Sequence, residues 1–346
     1  MHSTRYEAEE VWFPCSANIF GWEQDFHGLM LNDRIRMQAY SAAIAQVVRP
    51  GMTILDLGTG TGILARWAFE AGATTVYGVE VNQTILADAE QTLRAAGFTG
   101  FRPINGLSYD ISLPERVDLV ISEIIGNLGD NEDCLRILAD ARERFLKPSG
   151  SMLPLRLTTT LVPVSSPAIH AQIATGRCRG LNGHYELERL VTTLGLSSRF
   201  NLYYDVIVPS PCQVADPQTV LEHDFLTSPA RPSYRQDVEF PVTRDALLTG
   251  FKGSFAAALS DRVVLDIAGD DIAGGTTSDS WKHSYLPLET PLSTRTGDLI
   301  RLVFERLPDR LQTGNESAAR LSCRYSWRGS IERAGRVVAT FSQAMS

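Results

Sequence analysis

A glycine-rich loop between a short apolar segment and an amphipathic one constrains the fold of this chain more than any other feature. Residues 54–58 (ILDLG) have the character of a buried strand, and residues 63–72 (ILARWAFEAG) that of a helix ending in glycine. The glycines between them allow backbone N–H groups to approach a ligand where a Cβ atom would block it. The pattern predicts a nucleotide-type site at the carboxyl edge of an open α/β sheet.

Strand-like and helical segments alternate from about residue 30 to residue 150. Further strands are predicted at 75–80 and 118–123, and helices at 83–96 and about 132–146, the last stopped by KPSG at 147–150. This alternation is typical of a parallel, doubly wound sheet. After residue 153, β-like runs broken by Pro, Gly and Asn predict an antiparallel sandwich or barrel, with a helix-compatible excursion at 166–198. A length of 346 residues suffices for two folded units.

The composition is that of an ordinary soluble globular protein. Hydrophobic residues make up 44% of the chain, and no apolar run approaches the roughly 20 residues of a membrane helix. The acidic N-terminus lacks the pattern of a signal peptide, so we expect a cytoplasmic protein with no membrane partner. The net charge of -8 disfavours nucleic acid as a partner and suits a cationic substrate. The five scattered cysteines predict reduced thiols and no metal site; they are Cys15, Cys134, Cys178, Cys212 and Cys323.

The residues of the loop distinguish two classes of nucleotide site. The dinucleotide pattern GxGxxG needs a third glycine where this chain has Ile63. The pattern DxGxGxG resembles that of class I methyltransferases, which implies that the loop wraps the methionine part of S-adenosylmethionine. In these enzymes an acidic residue at the end of the second strand, here Glu80, accepts hydrogen bonds from both ribose hydroxyls. The cofactor-binding residues expected in this region are Asp56, Gly58, Thr59, Gly60, Gly62, Glu80 and Val81. The alternatives are a plain strand-to-helix turn for the loop and a solvated strand end for Glu80.

Two glutamates follow the strand predicted at 118–123. Glu123 and Glu132 lie nine residues apart with two glycines between them, so a loop that doubles back would bring them face to face. Two adjacent carboxylates raise each other's pKa unless a cation lies between them, and a guanidinium is a planar cation that bonds carboxylates in parallel. The pair therefore predicts a guanidinium site. Glu132, with Asp130 and Asp133, could instead form the acidic first turn of a helix, and a glycosidase pair would leave the cofactor loop unexplained.

With these motifs the chain resembles the protein arginine N-methyltransferases over most of its length. Their double-E loop begins S-E-x-x-G and has a second glutamate nine residues after the first, as residues 122–126 and Glu132 do here. The stretch GNLGDNE is most similar to the symmetric-dimethylating branch. Residues 26–40 resemble the helix before the cofactor strand, which implies that Met30 lies near the transferred methyl group and that Arg36 binds the carboxylate of S-adenosylmethionine. Residues 145–154 and 278–300 resemble the passage into the family's barrel and its threonine-histidine-tryptophan loop.

The resemblance implies an α/β chain with a Rossmann-like class I methyltransferase domain, followed by an antiparallel β-barrel domain with a dimerisation arm. We expect an N-terminal helical segment at 1–50, the S-adenosylmethionine-binding domain at 51–152 and the barrel at 153–346. The arm would lie at about 166–209, and the protein would be a homodimer.

The chain departs from the family pattern at two places. Ser280 stands where most members have a histidine before Trp281, so the usual histidine contact with an aspartate, here Asp33, cannot form. In the adenine-binding segment, where the family usually has a glutamate, Ser108 and Tyr109 are the expected cofactor contacts. Trp281 could form a wall of the substrate pocket or simply pack in the core. For His27 and His283 we expect ordinary hydrogen-bonded or surface positions.

The predicted reaction is methyl transfer from S-adenosylmethionine to an arginine guanidino nitrogen. Its catalytic residues would be Glu123 and Glu132, with Ser280 and Trp281 also at the substrate. The compact chain without an appended recognition module favours free L-arginine, giving N-omega-methyl-arginine. The alternatives are arginine within a protein or peptide, another small cationic nitrogen nucleophile, and a scaffold without catalytic activity.

Overall fold

The first half of the protein is built around a parallel sheet. The computed structural model describes residues 9–12, 28, 30–179, 184–308 and 323–345. Five strands lie in the order β3-β2-β1-β4-β5, and every neighbouring pair is parallel. All five residues of β1 are buried, as expected for a central strand covered on both faces. The strands are β1 (Thr53–Leu57), β2 (Thr75–Glu80), β3 (Phe101–Asn105), β4 (Val117–Ser122) and β5 (Leu146–Leu153).

Four of the helices in the described part of the chain alternate with or precede these strands. They are α1 (Arg34–Val47), α2 (Ile63–Glu70), α3 (Gln83–Ala95) and α4 (Cys134–Phe145). Two of them begin at residues whose side chains accept backbone N–H groups of the first turn: Asp33 caps α1, and Asn82 caps α3. In the described parts of the chain, no helix has the length and apolar character needed to cross a membrane.

Two antiparallel sheets form the barrel-like second half. One has the order β7-β12-β10-β6-β8 with β11 paired to β10, and the other has the order β15-β14-β13-β9. Phe251 of the first sheet packs against Phe240 and Phe341 of the second, so the two sheets enclose one core. The strands are β6 (Arg156–Val164), β7 (Tyr204–Val206), β8 (Gln218–Asp224), β9 (Tyr234–Pro241), β10 (Ala246–Ala258), β11 (Val264–Asp266), β12 (His283–Thr294), β13 (Leu299–Pro308), β14 (Cys323–Arg333) and β15 (Arg336–Ala344).

Two helices, α5 (Pro167–Ala174) and α6 (His184–Thr193), leave the sheet between β6 and β7. Buried side chains of both, including Ile169 and Leu187, belong to the core of the second half. The N-terminal segment 9–12 lies along the same region, because the Trp12 N–H bonds the Asp205 carbonyl at 2.8 Å and Trp12 bridges to Arg179. The excursion is therefore packed onto the second half.

The sequence KPSG at residues 147–150 follows the end of a helix, as predicted, but it also forms part of a strand. Helix α4 does end at Phe145, but residues 147–150 continue directly into the strand β5. This strand lies at the edge of the sheet, where the missing N–H of Pro148 leaves no ladder partner unsatisfied. The register shifts between Val117 and Leu119 of β4, which accommodates the proline-containing stretch. Strand β5 was therefore not predicted from sequence, and neither were β3, β8 and β9.

Candidate active site

A cavity of about 460 Å³ opens at the carboxyl ends of β1, β2 and β4. This volume lies within the roughly 300–1,000 Å³ of small-molecule sites, and the position is the one at which open α/β sheets bind ligands. Ten of the residues expected from sequence line it: Met30, Arg36, Gly58, Thr59, Gly60, Glu80, Val81, Ser108, Glu123 and Glu132. Hydrophobic side chains of α2, including Ile63 and Trp67, form another wall.

The glycine-rich loop needs its glycines for backbone conformation. Gly58, Gly60 and Gly62 all have positive φ angles, of 77°, 49° and 79°. The N–H groups of Gly58 and Thr59 both bond the Val79 carbonyl at 2.9 Å, which fixes the loop to the end of β2. A Cβ atom on Gly58 would lie 3.2 Å from the side chain of Ile124, so the loop and the chain after β4 approach closely.

Glu80 ends β2 beside this loop. One carboxylate oxygen accepts the Gly60 N–H at 3.1 Å, and the other accepts the Asn82 N–H at 3.0 Å. These two bonds hold the carboxylate in the cavity wall. Each oxygen retains lone pairs, so the carboxylate suits a ligand that offers two hydroxyl groups.

The segment after β3 is held from α4. Arg144 donates to the Ser108 carbonyl at 2.5 Å and to the Ile111 carbonyl at 2.9 Å, while its other contacts are with Asp140. Ser108 lines the cavity and is buried, whereas Tyr109 is 48% exposed and does not belong to the lining. Of the two expected adenine contacts, the structure brings only Ser108 to the cavity.

Asp56 and Gly62 also lie outside the lining, for different reasons. Asp56 is fully buried beneath the loop, where it accepts the Thr59 hydroxyl at 2.6 Å, and burial raises its pKa to about 7. Gly62 begins helix α2, and a Cβ atom there would lie 3.2 Å from Ala89 and Leu93 of α3. The Asp56 side chain therefore supports the loop from below through its bond with Thr59. The lack of a side chain at Gly62 allows α2 and α3 to pack closely.

The loop between the two glutamates doubles back, as the sequence predicted. The N–H and carbonyl groups of Gly126 and Gly129 bond each other at 3.2 and 2.8 Å. A Cβ atom on Gly126 would lie 2.2 Å from the Asn131 amide oxygen, so this close turn requires glycine. As a result, Glu123 and Glu132 both line the cavity.

Asparagine side chains then fix the shape of the loop. The Asn131 amide oxygen accepts the Leu128 N–H at 2.9 Å, and its amide nitrogen donates to Asn127 and to Tyr203, both at 3.2 Å. The Asn127 amide nitrogen donates to Asp205 of β7 at 2.5 Å. These side chains tie the loop to the second half of the protein.

A buried arginine on β13 holds the acidic residues on either side of Glu132. Arg306 is completely buried, with Nε 3.0 Å from Asp130 and Nη2 2.9 Å from Asp133. The Tyr325 hydroxyl also donates to Asp130, at 2.7 Å. Helix α4 begins only at Cys134, so Asp130 and Glu132 do not form the acidic first turn that the sequence left open. No sequence feature pointed to Arg306, because its acidic partners lie more than 170 residues away.

Asp33 has a hydrogen-bonded environment in spite of the missing histidine. The Ser280 hydroxyl donates to its carboxylate at 2.5 Å, and the Ser280 N–H does so at 3.2 Å. The Ser278 hydroxyl donates to the same oxygen. A serine pair thus occupies the place at which the family pattern has a histidine.

Arg36 connects this serine pair to the first glutamate. Its guanidinium forms an ion pair with Glu123, and Nη1 lies 3.5 Å from the Ser280 hydroxyl. The guanidinium also lies over the ring of Trp281, with Cζ 4.3 Å from the ring centre. The Trp281 indole donates to the Ile125 carbonyl at 2.7 Å. Ser280 and Trp281 therefore lie behind Arg36, outside the cavity lining, and they position the first turn of the double-E loop.

Burial shifts the pKa values of two charged groups in this site, Glu132 and Arg36. It raises the pKa of Glu132 to about 7, a shift opposed by the positive charge of Arg36 and increased by the negative charge of Asp205. It lowers the pKa of Arg36 to about 10, which leaves the guanidinium charged at neutral pH. A second cation placed at Glu132 would favour its ionised form.

The remaining residues singled out from sequence have ordinary environments. His283 is fully buried, accepts the Val208 N–H at 2.9 Å and bonds the Gly269 carbonyl at 2.8 Å, as expected for a core histidine. His27 and Cys15 lie outside the described residues, and the other four cysteines are free thiols. Within the described parts of the chain, no three His, Cys, Asp or Glu side chains are arranged to hold a metal ion.

The fold and the cavity define a class I S-adenosylmethionine-dependent methyltransferase. Residues 54–150 match the family model described as "Methyltransferase domain", and residues 156–316 match the one described as "PRMT5 oligomerisation domain". Protein arginine N-methyltransferase PRMT10 of Arabidopsis thaliana is 32% identical over 86% of this chain and 82% of its own length. The chain belongs to the protein arginine N-methyltransferase family, and it is an arginine methyltransferase that uses S-adenosylmethionine.

Two other kinds of relative add to this comparison. The arginine N(omega)-methyltransferase of Streptomyces achromogenes subsp. streptozoticus is 29% identical over 80% of this chain and 74% of its own length. The solved structure of Arabidopsis thaliana protein arginine methyltransferase 10 shares the fold with a TM-score of 0.77 at 23% identity, covering 94% of this chain and 98% of that one. A Trypanosoma brucei PRMT1 enzyme-prozyme complex with AdoHcy gives 0.76 at 22% identity, covering 93% and 98%.

Proposed function

We propose that this enzyme methylates the guanidino group of free L-arginine, giving N-omega-methyl-arginine. The observation that carries the proposal is the placement of Glu123 and Glu132 in one cavity with the glycine-rich loop. Glu123 already pairs with the guanidinium of Arg36. The position and orientation of its carboxylate therefore suit a guanidinium group.

The residues present fit S-adenosylmethionine. The left-handed glycines of the loop leave room for close approach of a ligand, Glu80 offers two acceptor oxygens, and Arg36 is the one Arg or Lys among the described residues that line the cavity. When bound, S-adenosylmethionine supplies an electrophilic methyl group. Met30 and Arg36 would lie at the methyl and carboxylate ends, and Ser108 at the adenine.

The two glutamates would hold the substrate by parallel charge-assisted hydrogen bonds. They would turn one terminal nitrogen toward the methyl group and stabilise the positive charge that develops on the guanidino group. Because burial raises the pKa of Glu132 to about 7, this carboxylate could also accept the proton that the methylated guanidinium must lose. Positioning would account for most of the rate enhancement.

Free arginine is proposed over arginine in a polypeptide on two grounds. A relative of comparable length bears the name arginine N(omega)-methyltransferase, although the PRMT10 relative is named for protein substrates. The described chain also has a compact core of two packed halves, with residues 51–152 proposed to bind the cofactor and residues 153–346 to complete the substrate site. Residues 1–50 are proposed to form an N-terminal helical segment, which includes helix α1.

The proposal is tested by comparing kcat/KM for L-arginine with kcat/KM for arginine-containing peptides, with S-adenosylmethionine at saturation. We expect L-arginine to be preferred. A preference for peptides of tenfold or more, about 1.4 kcal/mol in transition-state binding, would show that the substrate is arginine in a polypeptide.

A further inference from the structure

Two buried, oppositely charged side chains lie beside the double-E loop and have no part in the mechanism above. Asp205 lies on β7, and Lys282 directly precedes β12. The two strands are paired, with Asp205 opposite Ser284, so both side chains lie at the same end of the sheet. Only 8% of Asp205 and 6% of Lys282 is exposed. Ionised groups are rarely buried to this extent, so the two side chains form a polar cluster inside the protein.

A short chain of hydrogen bonds connects Asp205 to Asn131, the residue before Glu132. The Asn131 amide donates to Asn127 at 3.2 Å, and the Asn127 amide donates to the Asp205 carboxylate at 2.5 Å. Asn127 lies in the double-E loop, so Asp205 bonds the loop that carries Glu132 directly. The negative charge of Asp205 also adds to the rise in the pKa of Glu132, which burial mainly causes.

The N-terminal segment covers the same cluster. The Trp12 N–H bonds the Asp205 carbonyl at 2.8 Å, and the Trp12 ring centre lies 4.6 Å from the Lys282 ammonium. On the other side, Trp281 is bonded to the Ile125 carbonyl at 2.7 Å. The pair is thus enclosed between the N-terminal segment and the first turn of the double-E loop.

Burial opposes both charges of the pair. It lowers the pKa of Lys282 to about 8, a shift that the negative charges of Asp205 and Asp279 oppose. It raises the pKa of Asp205 to about 6, against the positive charge of Lys282. An ammonium brought to Asp205 and a carboxylate brought to Lys282 would stabilise both groups in their ionised forms.

We propose that Lys282 binds the α-carboxylate and Asp205 the α-ammonium of a free arginine whose guanidinium lies between Glu123 and Glu132. This inference rests on the proposed function and names the residues that make the site selective for an amino acid. An arginine inside a polypeptide has neither α-charge, so it would bring no opposite charge to either buried side chain.

The experiment compares substrates that lack one α-group. Wild-type enzyme is assayed with L-arginine, with agmatine, which has no carboxylate, and with Nα-acetyl-L-arginine, which has no ammonium group. We expect kcat/KM to fall by about 10- to 100-fold for each analogue, the range of one charge-assisted hydrogen bond. Equal kcat/KM for L-arginine and both analogues overturns the inference, even though L-arginine is methylated.

Two variants assign each group to its residue. Lys282→Met should lower kcat/KM for L-arginine to near the wild-type value for agmatine, while it changes agmatine itself less than about threefold. Asp205→Asn should do the same for the pair L-arginine and Nα-acetyl-L-arginine. If either variant lowers kcat/KM for all substrates by the same factor, its role is structural and the assignment is wrong.

Lys252→Met is the matched control. Lys252 is also a buried lysine of the second half, 2% exposed, and donates to the Ala268 carbonyl at 2.7 Å. Its loss should leave the ratio of L-arginine to agmatine as in the wild type. If Lys282→Met does not fold, the wild-type analogue series decides alone. Methylation of peptides together with no methylation of L-arginine or either analogue would instead contradict the proposed function itself.

Discussion

The two glutamates of the double-E loop have different environments. Glu123 directly follows β4 and pairs with the guanidinium of Arg36. Glu132 lies in sequence between Asp130 and Asp133, the two aspartates that pair with Arg306. A substrate guanidinium placed between the two glutamates would be held from one side by each carboxylate. Both contacts should be needed in the transition state, because the charge on the guanidino group grows as the methyl group is transferred.

Replacement of either glutamate by glutamine should remove most turnover. Glu123→Gln and Glu132→Gln each lose a charge-assisted hydrogen bond of about 1.5–3 kcal/mol, so kcat/KM should fall by at least one to two decades. Binding of S-adenosylmethionine, measured by calorimetry, should remain near normal. The exposed Glu70→Gln on α2 is the control, and near-wild-type activity in both loop variants would eliminate the double-carboxylate mechanism.

The pH dependence of activity should report Glu132. Arginine is protonated throughout, so the carboxylate must be ionised to bind it. Because burial raises the pKa of Glu132 to about 7, kcat/KM for L-arginine should rise as the pH increases through that value and level off above it. The same shift makes the folded state bind more protons than the unfolded state between pH 4.5 and about 7, so this group's contribution to stability decreases as the pH rises through that range. A profile that is flat through neutral pH would contradict this assignment.

Sequence patterns identified ten of the cavity-lining residues but not how their side chains point. Glycine spacing and the position of Glu80 at a strand end are local features, and Gly58, Gly60 and Glu80 all lie in the cavity lining. The serine contact with Asp33 was missed, because it depends on where a loop more than 240 residues away is placed. Asp56 has the expected identity in the motif, yet its side chain turns beneath the loop toward Thr59.

At the level of elements, β13 acts on the active-site loop from the other half of the protein. Arg306 contacts both Asp130 and Asp133 while donating to the Pro232 carbonyl at 2.6 Å. Glu132 lies between the two aspartates in sequence, so its position depends on this arginine. Arg306 is a positioning residue, since it acts through the loop.

Arg306→Met should be strongly destabilising. It leaves two carboxylates buried without their cation, a loss of about 3–5 kcal/mol in the free energy of unfolding. Tyr325→Phe removes only one hydrogen bond to Asp130 and should destabilise by about 0.5–1.5 kcal/mol. Thermal unfolding and kcat are measured for both variants.

For Tyr325→Phe, which should fold, we expect kcat to decrease while the affinity for S-adenosylmethionine is unchanged. An unaltered kcat in this variant, together with an unaltered kcat in any folded Arg306 variant, would show that the loop holds its shape without β13.

Elements with a strong local pattern were predicted from sequence, and elements defined by pairing were not. The strand, glycine loop and helix at the start of the sheet follow from periodicity over a few residues. Strand β9 carries exposed polar residues on most of its length and becomes a strand through its pairing with β13. Residues 147–150 look like a helix stop, and only the neighbouring strand β4 makes them part of a sheet.

For the whole molecule, we expect a homodimer formed through the arm proposed at about 166–209. Residues 156–316 match a family model described as an oligomerisation domain, and this range contains α5 and α6. A dimer of identical chains would use the same patch on both subunits. Light scattering across a range of concentrations should give twice the chain mass, and a stable, active monomer would contradict this expectation.

The central claim is that an arginine guanidino group is methylated at Glu123 and Glu132, and mass spectrometry of the products tests it most directly. The enzyme is incubated with S-adenosylmethionine carrying a labelled methyl group and with L-arginine, and the Glu123→Gln/Glu132→Gln double variant serves as the background. We predict labelled methylarginine, with the label on a guanidino nitrogen in the fragment spectrum, and none from the double variant. The claim is contradicted if the wild type transfers no label to arginine or to any arginine-containing peptide, or if the double variant forms the same product at the same rate.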